Sequence, residues 1–119
     1  MRLLKFIYLL MSTLSCLLIA LPVLADKEQE SMTVHSQSQA RYDQCVALHS
    51  EKNYREAIPA CTDAIKIAHR KNLSFLYGYR ASSYHRLGDK ENAKKDIEAG
   101  NKTGGDTTKF VYMVLGDEI

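Results

Sequence analysis

Apolar positions recur every three or four residues between positions 54 and 68, which places them on one face of an α-helix. Several are small, so another helix can approach closely along this face; they are Tyr54, Ala57, Ile58, Cys61, Ala64, Ile65 and Ala68. Asn53 precedes the helix and Glu56 follows three residues later, which predicts a capping box. The spacing returns 36 residues further on, where Ala93 takes the place of Ala57. The pattern therefore predicts a repeated helical unit.

The same periodicity predicts three more helices around the first. One runs from about residue 40 to residue 50, and its apolar face contains Tyr42, Cys45, Val46 and Leu48. The others run from about 74 to 87 and from 90 to about 102. Gly88 is expected in the left-handed conformation that ends a helix, and Asp89 is expected to cap the next one. Four helices joined by short turns predict an all-α fold built from antiparallel pairs.

A break at Gly104 and Gly105 precedes a C-terminal segment, residues 107–119. Its centre, KFVYMVL, is almost wholly apolar, and this composition alone fits a short helix or a strand. The helix pairs before it favour a closing helix. Because the run is apolar on all sides, two roles stay open. It is either a cap buried on the second helix pair or a docking edge through which copies of the chain associate.

The N-terminus has the three parts of a secretory signal peptide. Arg2 and Lys5 are basic, residues 6–24 are overwhelmingly apolar, and small residues follow at the usual cleavage spacing. We therefore expect residues 1–25 to be a signal peptide cut after Ala25, and the protein to be exported to a periplasm or secreted. The alternative is an uncleaved anchor helix, which would then be the attachment to a membrane.

The chain after residue 25 is balanced in charge. The whole sequence carries 16 Lys and Arg against 14 Asp and Glu, and the surplus pair, Arg2 and Lys5, lies in the predicted signal peptide. A balanced chain offers no field that would attract nucleic acid or an anionic membrane, so neither is an expected partner. Residues 26–37 are polar with almost nothing to bury, and we expect them to form a flexible lead.

Two of the three cysteines, Cys45 and Cys61, remain once the predicted signal peptide is removed. An exported protein resides in an oxidising compartment, where a disulfide can persist. The two residues lie on the inward sides of facing helices, and bridging requires their Cα atoms to lie within about 7 Å. A disulfide and two buried thiols both remain open at this stage.

The sequence carries no recognised catalytic or nucleotide-binding motif. His49 and His85 lie 36 residues apart, and so at equivalent places in the repeated unit. A metal would need further ligands, and none recurs beside them. Solvated histidines are the simpler interpretation, and a metal-binding or pH-sensitive pair is the alternative. We expect no enzyme activity and no cofactor.

Two stretches resemble the tetratricopeptide repeat family: NYREAIPACTDAIKI from Asn53 and YGYRASSYHRLGDKENAKKDIEAG from Tyr77. The resemblance implies two repeats, 38–71 and 74–103, stacked as a short right-handed solenoid with the C-terminal segment as its cap. Two repeats are fewer than the three usually needed for independent stability. The sequence departs from the family pattern at Cys45, Leu48 and His69, and its period is 36 rather than 34.

In this family the first helix of each repeat lines a concave groove that binds partners. Carried onto this chain, the resemblance implies a groove lined by Gln39 and Asp43 and, as the candidate partner-binding residues, Tyr42, Val46, His49, Phe75, Tyr79, Ser82, His85 and Arg86. Tyrosine and arginine are enriched in binding hot spots. A tyrosine at helical spacing is equally typical of a core.

The function expected from these observations is a non-enzymatic protein-interaction module of the scaffold or co-chaperone type. It would bind an extended peptide or a partner helix in the groove. The first alternative is a structural subunit that self-assembles into a homo-oligomer through its C-terminal apolar segment. The second is a small protein that binds a metal through His49 and His85.

Overall fold

The computed structural model describes residues 30–116, so the predicted signal peptide, residues 1–25, lies outside the described residues. The described part contains helix α1 (residues 30–50) and four further helices. These are α2 (Tyr54–Ile67), α3 (Arg70–Arg86), α4 (Lys90–Asn101) and α5 (Thr107–Leu115). No strand occurs between residues 30 and 116, which confirms the all-α class. Residues 36–116 belong to one compact unit, and residues 30–35 belong to another.

Two helix starts differ from the sequence prediction. Residues 30–37 are helical, whereas the sequence predicted a flexible lead there. Helix α3 begins at Arg70, four residues before its predicted start. Neither stretch contains glycine or proline, so nothing in the local sequence stops the helix from extending. The polar composition that suggested irregular chain is instead compatible with a solvated helix surface.

The turn between α1 and α2 has the same geometry as the turn between α3 and α4. Lys52 and Gly88 adopt positive φ angles of 60° and 86°. The amide of the following residue closes each turn: Asn53 N–H donates to the Leu48 carbonyl and Asp89 N–H to the Tyr84 carbonyl, both at 2.9 Å. The 36-residue period of the sequence is therefore present in the backbone, and the left-handed Gly88 is confirmed.

The two helices that follow these turns are capped differently. The Asp89 carboxylate accepts a hydrogen bond from Asn92 N–H at 3.1 Å, as predicted. The Asn53 side chain makes no capping bond to a backbone amide of the described helix α2. Its amide nitrogen instead donates to the Glu56 carboxylate at 2.7 Å. The predicted capping box is therefore wrong. In such a box the Glu56 carboxylate would accept a hydrogen bond from the backbone amide of Asn53, but here it accepts one from the Asn53 side chain.

Helices α1, α3 and α5 run in the same direction, and α2 and α4 run against them. Cys45 of α1 and Leu76 of α3 belong to one core cluster. Further along both helices, the His49 ring of α1 lies 5.2 Å from the Tyr79 ring of α3, so α1 and α3 run in the same direction. Thr107, at the start of α5, donates through Oγ1 to the carbonyl of Ser74 in the first turns of α3, at 3.2 Å. Short turns reverse the direction of the chain between each helix and the next.

Two apolar clusters form the core. The first contains Cys45, Cys61, Ala64 and Leu76, and the second contains Ala81, Ala93, Val111 and Leu115. The two alanines that mark the sequence period are both inward, because Ala57 is 0% and Ala93 is 4% exposed. The predicted stripe of small residues is thus the surface along which the helices pack.

One ion pair connects three helices. The Arg80 guanidinium donates to both Asp96 oxygens, at 2.8 and 2.6 Å, and to the Thr62 hydroxyl at 2.9 Å. The bidentate bond to Asp96 raises the pKa of Arg80. A charge buried to this degree is stable only when it is paired and hydrogen-bonded, and here its partners lie on α2 and α4. The pair therefore fixes how α3 sits between its neighbours.

The C-terminal apolar run forms helix α5, not a strand, and it packs against α3 and α4. Gly78 permits the close approach, because a Cβ at that position would collide with the Phe110 ring. Val111 and Leu115 are buried, whereas Tyr112 and Met113 are 55% and 72% exposed. Helix α5 thus covers the second helix pair with one face and leaves two large apolar side chains outside.

Candidate functional site

Five rings form a continuous aromatic row across the described helices. The order is Tyr54, His49, Tyr79, Phe110 and Phe75, with successive ring centroids 5.4, 5.2, 5.0 and 5.3 Å apart. Every contact is edge-to-face, the geometry that the ring quadrupoles favour. Because the rings come from α1, α2, α3 and α5, the row exists only once these helices are packed together.

His49 lies inside the aromatic row between two tyrosine rings. Its Nε2 atom is buried and has no hydrogen-bond partner among residues 30–116. Burial lowers the pKa of His49, and the nearby Arg86 charge lowers it further. The imidazole is therefore neutral at neutral pH and contributes to the row as a ring rather than as a cation.

His85 does not join His49, although the sequence placed both in one groove. It lines a small pocket of about 120 Å³ with Ala93, Ile97 and residues of α5. The two histidines have different neighbours, because His85 lies beside residues of α5 whereas the His49 ring contacts Tyr79 of α3. Within residues 30–116 no three His, Cys, Asp or Glu side chains come together as a metal site.

Ser82 is a second predicted groove residue that the structure places elsewhere. It is fully buried, and its hydroxyl donates to the Gly78 carbonyl at 2.8 Å. Helix α3 has neighbours on several sides, so this position faces the interior rather than a groove. Ser82 therefore lies in the interior of the described unit and not on an open surface.

The other predicted groove residues lie at or near the surface. Tyr42 and Val46 are half-buried, and Tyr42 packs against the first core cluster. Burial is the main cause that raises the pKa of Tyr42, followed by the nearby Tyr79 and Asp43. Gln39 and Asp43 are exposed and bonded to each other, with the Gln39 amide donating to the Asp43 carboxylate at 2.9 Å. Arg86 is exposed at the end of α3.

A pocket of about 730 Å³ opens where the aromatic row ends. We call it the α3–α5 pocket, because its walls are the first turns of α3, the loop before α5 and one side of α5; its lining comprises Arg70, Lys71, Ser74, Phe75, Thr103, Gly104, Gly105, Asp106, Lys109, Phe110 and Met113. Phe75 and Phe110 belong to both the pocket and the row. Phe75 is 43% exposed, so the row is accessible from the pocket.

Sequence reasoning missed most of this pocket. It placed Phe110 and Met113 in a segment that was either a cap or a docking edge, and it began the third helix at about residue 74, so Arg70 and Lys71 were not candidates. The Gly104–Gly105 break was a signal, since it lets the loop turn closely over α3. A Cβ at Gly105 would collide with Ser74. Sequence spacing alone did not show that this loop and α3 enclose a space.

Cys45 and Cys61 form a disulfide, with Cα atoms 4.7 Å apart. Both residues are fully buried beside Leu76. The bond joins α1 to α2 at the centre of the first core cluster and resolves the alternative that the sequence left open. It also holds α1, which carries His49, in place beside α3.

No helix within residues 30–116 is long and apolar enough to cross a membrane. The alternative of an uncleaved anchor concerns residues outside this range. Comparisons of the chain with protein-family models, with curated proteins and with solved structures found no match.

Proposed function

We propose that this protein is a non-enzymatic adaptor of the exported space that binds a peptide or a partner helix. Its two helix pairs, closed by α5, would form a short solenoid like that of tetratricopeptide repeat proteins. The binding surface would be the side formed by α1, α3 and α5. The observation that carries the proposal is the aromatic row, which crosses these three parallel helices and opens into the α3–α5 pocket.

The recurrence of local structure supports the solenoid. Lys52 and Gly88, 36 residues apart, have the same turn geometry, and Ala57 and Ala93 are buried at equivalent places. In solenoids each unit contacts its neighbours, and parallel first helices line one face. The common direction of helices α1, α3 and α5 supports this arrangement.

The surface itself supports peptide binding. Aromatic side chains supply large contact area at low cost in rotamer entropy, and they dominate binding energy in many interfaces. The pocket has the volume of a small-ligand or side-chain site. The disulfide between Cys45 and Cys61 supports the exported setting, because such bonds persist in oxidising compartments.

Self-assembly is the second candidate function, and one observation favours it. Tyr112 and Met113 leave apolar area exposed on α5, each at the edge of a pocket that α5 forms with its neighbours. Such an area is typical of an interface. Sedimentation of the protein with and without Met113→Asp tests it: a dimer that dissociates in the variant supports self-assembly, and monomers in both cases contradict it.

Site-specific photo-crosslinking tests the adaptor proposal. A benzophenone amino acid would replace Gln39, Phe75 or Met113 on the proposed binding side, and Glu91 or Lys94 on α4 as matched controls. All five positions are exposed, so substitution leaves the core intact. We expect one shared adduct, in an extract of the source cells, from the first three positions and none from the controls. Equal adducts at the control positions, or none anywhere, would contradict the proposal.

A further inference from the structure

Three cations surround the α3–α5 pocket: Arg70, Lys71 and Lys109. Within residues 30–116 the ion pairs involve other basic side chains, on Lys66, Arg80 and Lys95. The pocket carboxylate, Asp106, caps α5 by accepting a hydrogen bond from Lys109 N–H at 2.9 Å. The pocket therefore carries net positive charge that the described residues do not neutralise, although the charges of the chain after residue 25 balance in total.

The floor of the same pocket is apolar. Phe75 and Phe110 meet edge-to-face at 5.3 Å, and Met113 is 72% exposed beside them. A methionine at a binding surface adapts to different apolar side chains. The pocket thus offers a hydrophobic contact at its base and positive charge around its rim.

We propose that the α3–α5 pocket binds an acidic segment of a partner protein in which one aromatic or long aliphatic side chain is flanked by carboxylates. This inference rests on the proposed adaptor function and names its ligand. A purely apolar ligand would bury the three cations without partners, which is unfavourable. A simple anion would leave the apolar floor exposed to water. A segment with both features satisfies both parts of the pocket.

Such a site can also function on a protein without net charge, because its charged and apolar parts contribute differently to binding. Rim charges mainly increase the rate of encounter and select against partners of like charge, while a buried apolar anchor supplies most of the affinity. The flanking carboxylates would meet Arg70, Lys71 and Lys109, and the anchor would lie on Phe75 and Met113.

Fluorescence anisotropy with short labelled peptides tests the proposal. The probe has a central phenylalanine flanked by glutamate and aspartate, with both ends blocked so that the terminal charges play no part. One matched probe replaces the acidic residues by lysine, and another replaces phenylalanine by glycine. We expect the first probe alone to bind, with affinity that falls as salt is raised. Equal binding of the lysine probe would overturn the proposal.

Protein variants locate the binding site. Arg70→Glu combined with Lys109→Glu should weaken binding about tenfold or more, since each charge pair contributes modestly and two cations of the pocket become anions. Lys52→Glu combined with Lys94→Glu changes the net charge equally on exposed residues outside the pocket and should leave the affinity unchanged. Met113→Ser, at an exposed position, should also weaken binding while the circular dichroism stays the same. An affinity unaffected by the pocket variants would overturn the proposal.

Two further outcomes separate this inference from the adaptor function. If crosslinks persist at Gln39 and Phe75 while the pocket variants bind the probe normally, the adaptor stands and the acidic ligand is wrong. The chain's own residues 117–119, Asp-Glu-Ile, have the same chemistry. A dimer that dissociates on Arg70→Glu with Lys109→Glu, and on removal of residues 117–119, would assign the pocket to a second copy and overturn the partner-peptide proposal.

Discussion

At the scale of single residues, His49 illustrates how packing changes a side chain's chemistry. Its ring lies 5.4 Å from Tyr54 and 5.2 Å from Tyr79, and its Nε2 atom has no hydrogen-bond partner among the described residues. Protonation would place a charge in this half-buried site near Arg86, and both effects lower the pKa of His49 below its ordinary value of 6.5. Folding therefore favours the neutral form of the His49 imidazole.

This shift predicts that the protein loses stability in mild acid. Because the pKa of His49 is lower in the folded than in the unfolded chain, the unfolded chain binds more protons between these two values. The stability is complete above about pH 6.5 and falls as the pH drops toward the folded pKa. Urea unfolding at a series of pH values measures it.

The matched variant for this prediction is His49→Phe, which keeps a ring between the two tyrosines and removes the proton. The variant should show a smaller fall in the free energy of unfolding between pH 7 and pH 5. A fall of the same size in both proteins would mean that other groups cause the acid sensitivity.

At the scale of elements, α3 is the centre of the fold because it packs against α2, α4 and α5. Its buried residues are mostly small: Ser74, Leu76, Gly78, Ala81, Ser82 and Ser83. The hydroxyls of Ser82 and Ser83 donate to carbonyls four residues earlier, at 2.8 and 2.9 Å, so their burial leaves no bond unmade. Because α3 has small side chains on several faces, helices α2, α4 and α5 can all pack closely against it.

Gly78→Ala should therefore destabilise the protein, although alanine favours an isolated helix over glycine by about 1 kcal/mol. The new Cβ would collide with the Phe110 ring, and overpacking of this kind costs about 1–3 kcal/mol. We expect a lower urea midpoint and faster hydrogen exchange in the amides of α5 than in those of α2.

A second substitution distinguishes this collision from a backbone effect. Phe110→Ala removes the ring atoms that the new Cβ would meet, so the double variant should lose less stability than the sum of the two single variants. Strict additivity, or a Gly78→Ala protein as stable as the original, would contradict the argument.

At the scale of the whole molecule, the described part is small and its core residues are mostly alanine and cysteine. A small core of this kind supplies little hydrophobic stabilisation, and cross-links commonly compensate. The disulfide between Cys45 and Cys61 fixes α1 to α2, and the Arg80–Asp96 pair connects α3 to α4. Together they span both helix pairs.

Reduction of the disulfide should cost about 3 kcal/mol in free energy of unfolding, the amount expected for closing a loop of about 15 residues. The two cysteines are separated by 16 positions. Urea unfolding with and without dithiothreitol measures this loss. Reduction breaks the bond but keeps both cysteine side chains, so the packing volume of the core is unchanged.

The control is the double variant Cys45→Ala with Cys61→Ala, whose unfolding should not depend on dithiothreitol. For the original protein, mass spectrometry after denaturation without reduction should find no free thiol on Cys45 or Cys61. An original protein whose urea midpoint is the same under both conditions would show that the bond contributes no stability.

Much of the fold could be predicted from the sequence, because helices and turns depend on residues close together in the chain. The spacing of Ala57 and Cys61 indicated a packed helix face, and Gly88 and Asp89 marked the end of one helix and the start of another. Helix starts were less accurate where polar residues permit a helix without requiring one, as at Arg70.

The candidate site was predicted only in part. Tyr79 and His49, both expected in the groove, lie in contact, whereas Ser82 is buried and His85 lines a different pocket. Arg70 and Lys109 were missed. Arg70 was missed because α3 begins four residues before its predicted start. The surroundings of His85 and Lys109 depend on where α5 lies against α3, and residues more than thirty positions apart determine that contact.

The all-α class, the 36-residue period and the inward face of each repeated helix follow from local periodicity and turn chemistry, so they could be predicted from the sequence. The tertiary structure alone decided three things: that Cys45 and Cys61 bond, that five rings form one row, and that α3, α5 and their loop enclose a cationic pocket. Each requires distances between separate helices, and side-chain packing sets those distances.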